Sequence, residues 1–146
     1  MSNTTLLHEL IALSANSSPG TIALSHGGNL ISYGELLDEV TRFSSGLMHL
    51  GIQRGERVAI YLEKRFETVI ASFGTPAAGG VFVPLNPLLK AEQVGYILRD
   101  CNVRVLVTSP ERLALLRETL PACRDLRHIV ILDSAAPLPT IDGLNP

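Results

Sequence analysis

Short runs dense in Val, Ile and Leu recur along the chain from Val58 onward, at Val58 to Leu62, Val81 to Val83, Val103 to Val107 and Ile129 to Leu132. They scarcely alternate apolar with polar residues, which predicts strands covered on both faces. Between them, Glu67 to Ala78, Ala91 to Cys101 and Pro110 to Leu120 carry helical spacing, the last opened by Ser109 as N-cap with Pro110 at the first helical position. Strand, helix and strand in repeated succession predict right-handed crossovers, and so an α/β fold with a mainly parallel sheet and helices on both faces.

The first fifty residues follow a different pattern. Asn3 or Thr4 is placed to cap a helix that sets Leu6, Leu10 and Leu13 along one stripe and ends before Ser17 to Gly20. Thr21 to Ser25 and Leu30 to Ser32 read as two short strands joined through Gly27, Gly28 and Asn29, a small antiparallel hairpin. Ser32 stands three residues before Glu35, the spacing of a capping box. Leu36, Val40, Phe43, Leu47 and Leu50 then recur with helical period until Gly51, at the usual position after a helix end. At the other terminus, Ser134 to Pro146 holds three prolines and little periodicity, so it reads as a linker-like tail after a subdomain spanning 1–133.

A net charge of −2, with no run of Lys or Arg, gives no field to attract a polyanion, so nucleic acid is not an expected partner. The longest uncharged stretch, Thr68 to Leu89, is broken by glycines and prolines and is no membrane span. It reads as a buried helix followed by a buried strand. Two cysteines are too few for a disulfide framework and no export signal opens the chain, which points to the cytoplasm.

Local chemistry is sparse. Gly74, Gly79 and Gly80 copy the spacing of a phosphate loop, but Gly80 and Val81 stand where Lys and Ser/Thr belong and a strand follows, so a helix-to-strand turn is expected. His8, His26, His49 and His128 lie at no metal-ligand spacing, and neither Cys101 nor Cys123 has a base nearby in sequence. Glu35, Asp38 and Glu39 sit in the first turns of a helix, where the macrodipole favours negative charge. No catalytic residue and no metal ligand is nominated.

Two longer segments say more. Leu30-Ile31-Ser32-Tyr33-Gly34-Glu35-Leu36 and Ala78-Gly79-Gly80-Val81-Phe82-Val83-Pro84-Leu85-Asn86-Pro87 resemble the first and second recurring motifs of the AMP-forming adenylating enzymes. That superfamily contains acyl-CoA ligases, luciferases and the adenylation domains of peptide synthetases. Gly55 to Ile60 and the run from Tyr96 to Thr108 match in the same order, so the resemblance covers roughly Leu6 to Asp133. It implies the N-terminal subdomain of the adenylating-enzyme fold. Asn86, where peptide-synthetase domains usually show Asp, together with Leu88-Leu89-Lys90, looks more like an acyl-CoA ligase. A closer likeness to the acyl-CoA ligases found with exosortase systems is also drawn.

The resemblance implies a parent enzyme that joins a carboxylic acid to AMP, releases pyrophosphate and passes the acyl group to CoA, using ATP, Mg²⁺ and CoA. Its phosphate loop, ribose-binding Asp and catalytic Lys match nothing between Met1 and Pro146, so the 146 residues alone are expected to hold no cofactor and to be inactive. Some CoA ligases place Arg directly after Asn-Pro to meet a CoA phosphate. Leu88 holds that position here, and Lys90 is the candidate replacement; the plain alternative is a solvated lysine at a helix start. Expected partners are the remainder of the parent enzyme and a second copy of the chain, a homodimer formed where apolar surface is left uncovered. An amino-acid adenylation domain and a non-catalytic interaction module are the alternative readings.

Overall fold

The computed structural model describes residues 6–133; Asn3, Thr4 and the tail 134–146 lie outside them. The described chain divides into two compact units that interleave in sequence, one of residues 6–54 and 64–80, the other of residues 55–63 and 81–133.

The first unit holds α1 (Glu9–Ser17), β1 (Ile22–His26), β2 (Asn29–Ser32), α2 (Tyr33–His49) and α3 (Phe66–Ala77). β1 and β2 pair antiparallel as expected, with His26 opposite Asn29 across a two-residue turn. Gly27 and Gly28 take φ of 58° and 81°, the left-handed values such a tight hairpin requires, while Asn29 belongs to the strand. The capping box forms. Glu35 N–H donates to Ser32 Oγ at 3.3 Å, and Ser32 N–H donates back to Glu35 Oε2 at 2.8 Å. Both α2 and α3 end in a Schellman motif: Gly51 N–H reaches Met48 O and Ile52 N–H reaches Leu47 O, while Gly79 N–H reaches Pro76 O and Gly80 N–H reaches Thr75 O.

Ile11, Ile31, Leu36, Val40 and Ile70 form the core of this unit, with Phe43, Phe66 and Phe73 packed against it. α1 starts at Glu9 with His8 before it, later than the expected caps Asn3 or Thr4. α1 buries Ile11 and Ala15, whereas Leu6, Leu10 and Leu13 are 52%, 50% and 42% exposed. The inward face is the one a single residue, about 100°, round from the leucine stripe.

The second unit is the parallel sheet and two helices: β3 (Arg57–Tyr61), β4 (Val81–Pro84), α4 (Ala91–Asp100), β5 (Val103–Thr108), α5 (Pro110–Leu116) and β6 (His128–Ile131). The strand order is β4-β3-β5-β6, all parallel. Ala59, Tyr61 and Leu106 meet Val94 and Leu98 of α4 and Leu113 and Leu116 of α5 in one cluster. The alternating positions Val58, Ile60, Val105 and Val107 are buried as well. β4 is less buried. Its position at the sheet edge leaves Val81 49% exposed, and Pro84, which lacks an N–H to donate, closes the strand where a missing donor costs least.

α5 is also shorter than its periodicity suggests. It stops at Leu116, and Leu120–Ala122 form a separate 3-10 turn. Pro121 has no N–H to donate to the Arg117 carbonyl and its ring crowds that carbonyl, so an α-helical ladder cannot run through it.

Candidate functional site

In open parallel sheets, ligands gather beyond the carboxyl ends of the strands, where successive crossovers run in opposite directions. The chain here passes from β3 to β4 on one side and then crosses back to β5 on the other. The rim at that point is built from the end of β3, the loop 85–90 after β4, Thr108 at the end of β5, and Ser109 and Arg112 after it. Thr108 Oγ1 donates to Tyr61 O at 3.0 Å, tying the two central strand ends together.

The loop is held both from within and from beneath. Asn86 makes its turn, accepting Leu88 N–H on Oδ1 at 2.9 Å and Leu89 N–H on its carbonyl at 3.1 Å. Tyr61 Oη donates to Leu89 O at 2.9 Å, and Arg112 Nη1 donates to Pro87 O at 2.7 Å. Arg112 also grips Glu63 Oε1 through Nε at 2.9 Å and Nη2 at 2.8 Å, and its guanidinium carbon lies 4.8 Å from the Tyr61 ring centroid. Between the two held carbonyls, Leu88 stands out at 88% exposure.

Lys90 follows as the N-cap residue of α4 and is exposed. Its N–H donates to Gln93 Oε1 at 2.9 Å, closing half of a capping box. An ammonium group has no lone pair to accept the reciprocal bond, so the side chain remains directed by its own rotamers.

The remaining candidates take structural places. Gly74 lies inside α3 where an added Cβ would sit 2.6 Å from Phe43 Cδ1, and Gly79 has φ 85° at the helix end, so this glycine spacing belongs to a packed helix and its stop. His26 packs edge-on against Phe66, with ring centroids 6.4 Å apart. Both line an open cleft of about 290 Å³ together with Leu24, Val69 and Lys64. Beside it Arg65 pairs with Glu67 at 2.7 Å, and that hydrogen bond holds the Glu67 carboxyl below its usual range. Cys123 is buried, and burial pushes its thiol up, away from the thiolate a nucleophile needs. Among the described residues no three of His, Cys, Asp and Glu gather as metal ligands would.

The Tyr61–Glu63–Arg112 brace escaped sequence reasoning. Arg112 is separated from Pro87 by 25 residues and from Glu63 by 49, and no local pattern marks such a pair.

Known proteins resemble the chain along most of its length. The family model described as AMP-binding enzyme matches residues 11–144. The 4-hydroxybenzoate–CoA/benzoate–CoA ligase of Rhodopseudomonas palustris is 36% identical over 133 residues, 90% of this chain and 24% of that protein. Bacitracin synthase 1 of Bacillus licheniformis is 30% identical over 125 residues, 85% of this chain and 2% of that protein. Among solved structures, an anthranilate CoA ligase in complex with anthranoyl-AMP superposes with a TM-score of 0.85 at 26% identity, covering 90% of this chain and 26% of that one. The chain thus spans about a quarter of the length of these CoA ligases.

Proposed function

Because the chain belongs to the AMP-binding enzyme family, we propose that it is the N-terminal subdomain of an acyl-CoA ligase, contributed by residues 1–133 with 134–146 leading onward. In the parent enzyme a carboxylate oxygen attacks the α-phosphorus of ATP and pyrophosphate leaves. The CoA thiolate then attacks the acyl carbon and AMP leaves. The first step turns a resistant carboxylate into an activated anhydride, and Mg²⁺ and fixed cations stabilise the charge that develops on the phosphates.

The observation that carries the choice of acceptor is the 36% identity to a CoA ligase across 90% of the chain, against 30% to the bacitracin synthase. Asn86 supports the same choice, since it stands where peptide-synthetase domains usually show Asp. In this reading Lys90 meets a CoA phosphate from the rim of the sheet, and the other described residues supply scaffold. The enzyme works in the cytoplasm as a homodimer, with the carboxylic acid, ATP and CoA as its small-molecule partners. In this reading residues 1–146 alone neither adenylate a carboxylate nor bind ATP, because the family's phosphate-loop motif does not occur in their sequence and loss of a single preorganised donor already costs about 100- to 1,000-fold in rate.

The test is an assay of the full-length protein with ATP, Mg²⁺, a panel of fatty and aryl acids, and either CoA or a carrier protein bearing phosphopantetheine. Acyl-CoA detected by mass spectrometry is the expected product. Loading of the carrier with no CoA thioester would sink the acyl-CoA reading in favour of amino-acid adenylation. Pyrophosphate release by residues 1–146 alone would show that an ATP site exists within them.

A further inference from the structure

We infer that Arg112 is a positioning residue for the acceptor step: it fixes the loop 85–90 so that Lys90 is presented at the sheet rim. This rests on the reading of Lys90 as a CoA-phosphate contact.

The geometry argues for positioning rather than for general stability. Arg112 spends its guanidinium on three targets at once, Glu63 through Nε and Nη2, Pro87 O through Nη1 and the Tyr61 ring through its face. Only a planar fork with fixed donor directions does this; a lysine in the same place keeps the charge and loses the geometry. Its side chain is 13% exposed whereas that of Glu63 is 56% exposed, so the ion pair is solvated on one side and is a weak source of stability. What the arrangement does determine is where the loop backbone lies. Pro87 O and Leu89 O are pinned by Arg112 and Tyr61 from beneath, and Asn86 sets the turn between them. Lys90 comes directly after the second pinned carbonyl. A point charge on a flexible stem gains most from a fixed base, because ordering the backbone beforehand removes that entropy cost from the binding step.

In the full-length enzyme, Arg112→Lys, Lys90→Ala and the double variant would be compared in two half-reactions. Acid-dependent exchange of pyrophosphate into ATP reads adenylation without CoA, and thioester formation reads the acceptor, with pantetheine as an acceptor lacking the nucleotide phosphates. Each single variant is expected to raise the CoA KM roughly two- to fivefold, the range of an exposed ionic contact. The double variant should be no worse than the worse single one, because both act through the same contact. Exchange kinetics, kcat and the KM for pantetheine should stay put. If Lys90→Ala leaves the CoA KM unchanged, the CoA-contact reading falls, and this inference with it. If Lys90→Ala raises it but Arg112→Lys is silent, or adds fully in the double variant, positioning by Arg112 alone is overturned. A fall in both half-reactions together with a lowered Tm for Arg112→Lys would assign it a purely structural role.

Discussion

Ser32 and Glu35 exchange hydrogen bonds at the start of α2, and each is consequential for the other. Ser32→Ala removes the acceptor for the Glu35 N–H and should lower stability by about 0.5–2 kcal/mol, read as a shift in denaturation midpoint at unchanged m-value. The bonds from Ser32, backbone first and hydroxyl second, hold the Glu35 carboxyl below its ordinary range. The same variant should therefore raise the Glu35 pKa toward that of a free side chain in an NMR titration, and an unmoved pKa would disprove the hydroxyl's part in it. Gly74 makes a steric argument at the same scale. Helix propensity alone favours Gly74→Ala by about 1 kcal/mol. The new Cβ, however, would press on Phe43 Cδ1 at 2.6 Å and the Val40 carbonyl at 3.2 Å, and the carbonyl cannot rotate away. Overpacking of this kind costs about 1–3 kcal/mol, so Gly74→Ala should lower Tm. A rise in Tm would mean that α2 and α3 separate readily.

At the scale of elements, the turn from α4 into β5 is tied to the segment before β6 by Asp125. Its carboxylate accepts from Asn102 Nδ2 at 2.9 Å and from Arg104 Nη1 at 2.8 Å, and these bonds, the amide's first, hold its pKa below the ordinary value. A depressed folded-state pKa contributes stability that is complete above the unfolded value and is lost as pH falls through the folded one. Asp125→Asn should therefore flatten the loss of stability as pH falls from neutral through and below the ordinary Asp range, with the greatest difference from wild type at the neutral end. Parallel acid limbs for the two proteins would show that the group contributes nothing. Asn102 is itself part of the element's design: it takes φ 49° at the end of α4, the left-handed position that Gly51 and Gly79 fill after α2 and α3.

At the scale of the whole molecule, Leu6, Leu7, Leu10 and Leu13 follow one another on and just before α1 with exposures of 42% to 52%. An apolar stripe of this kind favours association in water. Residues 1–146 should run as a dimer or larger species by light scattering, and Leu10→Glu with Leu13→Glu should return a monomer. A clean wild-type monomer would reject the association.

The sequence by itself determined the features that live within a few residues: the hairpin at Gly27-Gly28, the box between Ser32 and Glu35, the Ser109 cap, the helix stops at Gly51 and Gly79, and the alternation of strand with helix. Each is settled by backbone sterics or by a bond across two to five residues, so its signal is local. The motif resemblance followed for the same reason, since its residues cap, turn and terminate. Tertiary structure decided the rest. Pro84 disfavours a central place for β4, but which strand lies beside it, and on which side, only the pairing decides. The leucines of α1 matched a helical stripe, yet Ile11 and Ala15 face the core, because packing selects among apolar faces that periodicity leaves equivalent. No local pattern distinguishes Arg112 from other arginines on a helix. Its partners Glu63 and Pro87 lie 49 and 25 residues away, and only the closing of the sheet brings a guanidinium, a carboxylate and a loop carbonyl within hydrogen-bond reach.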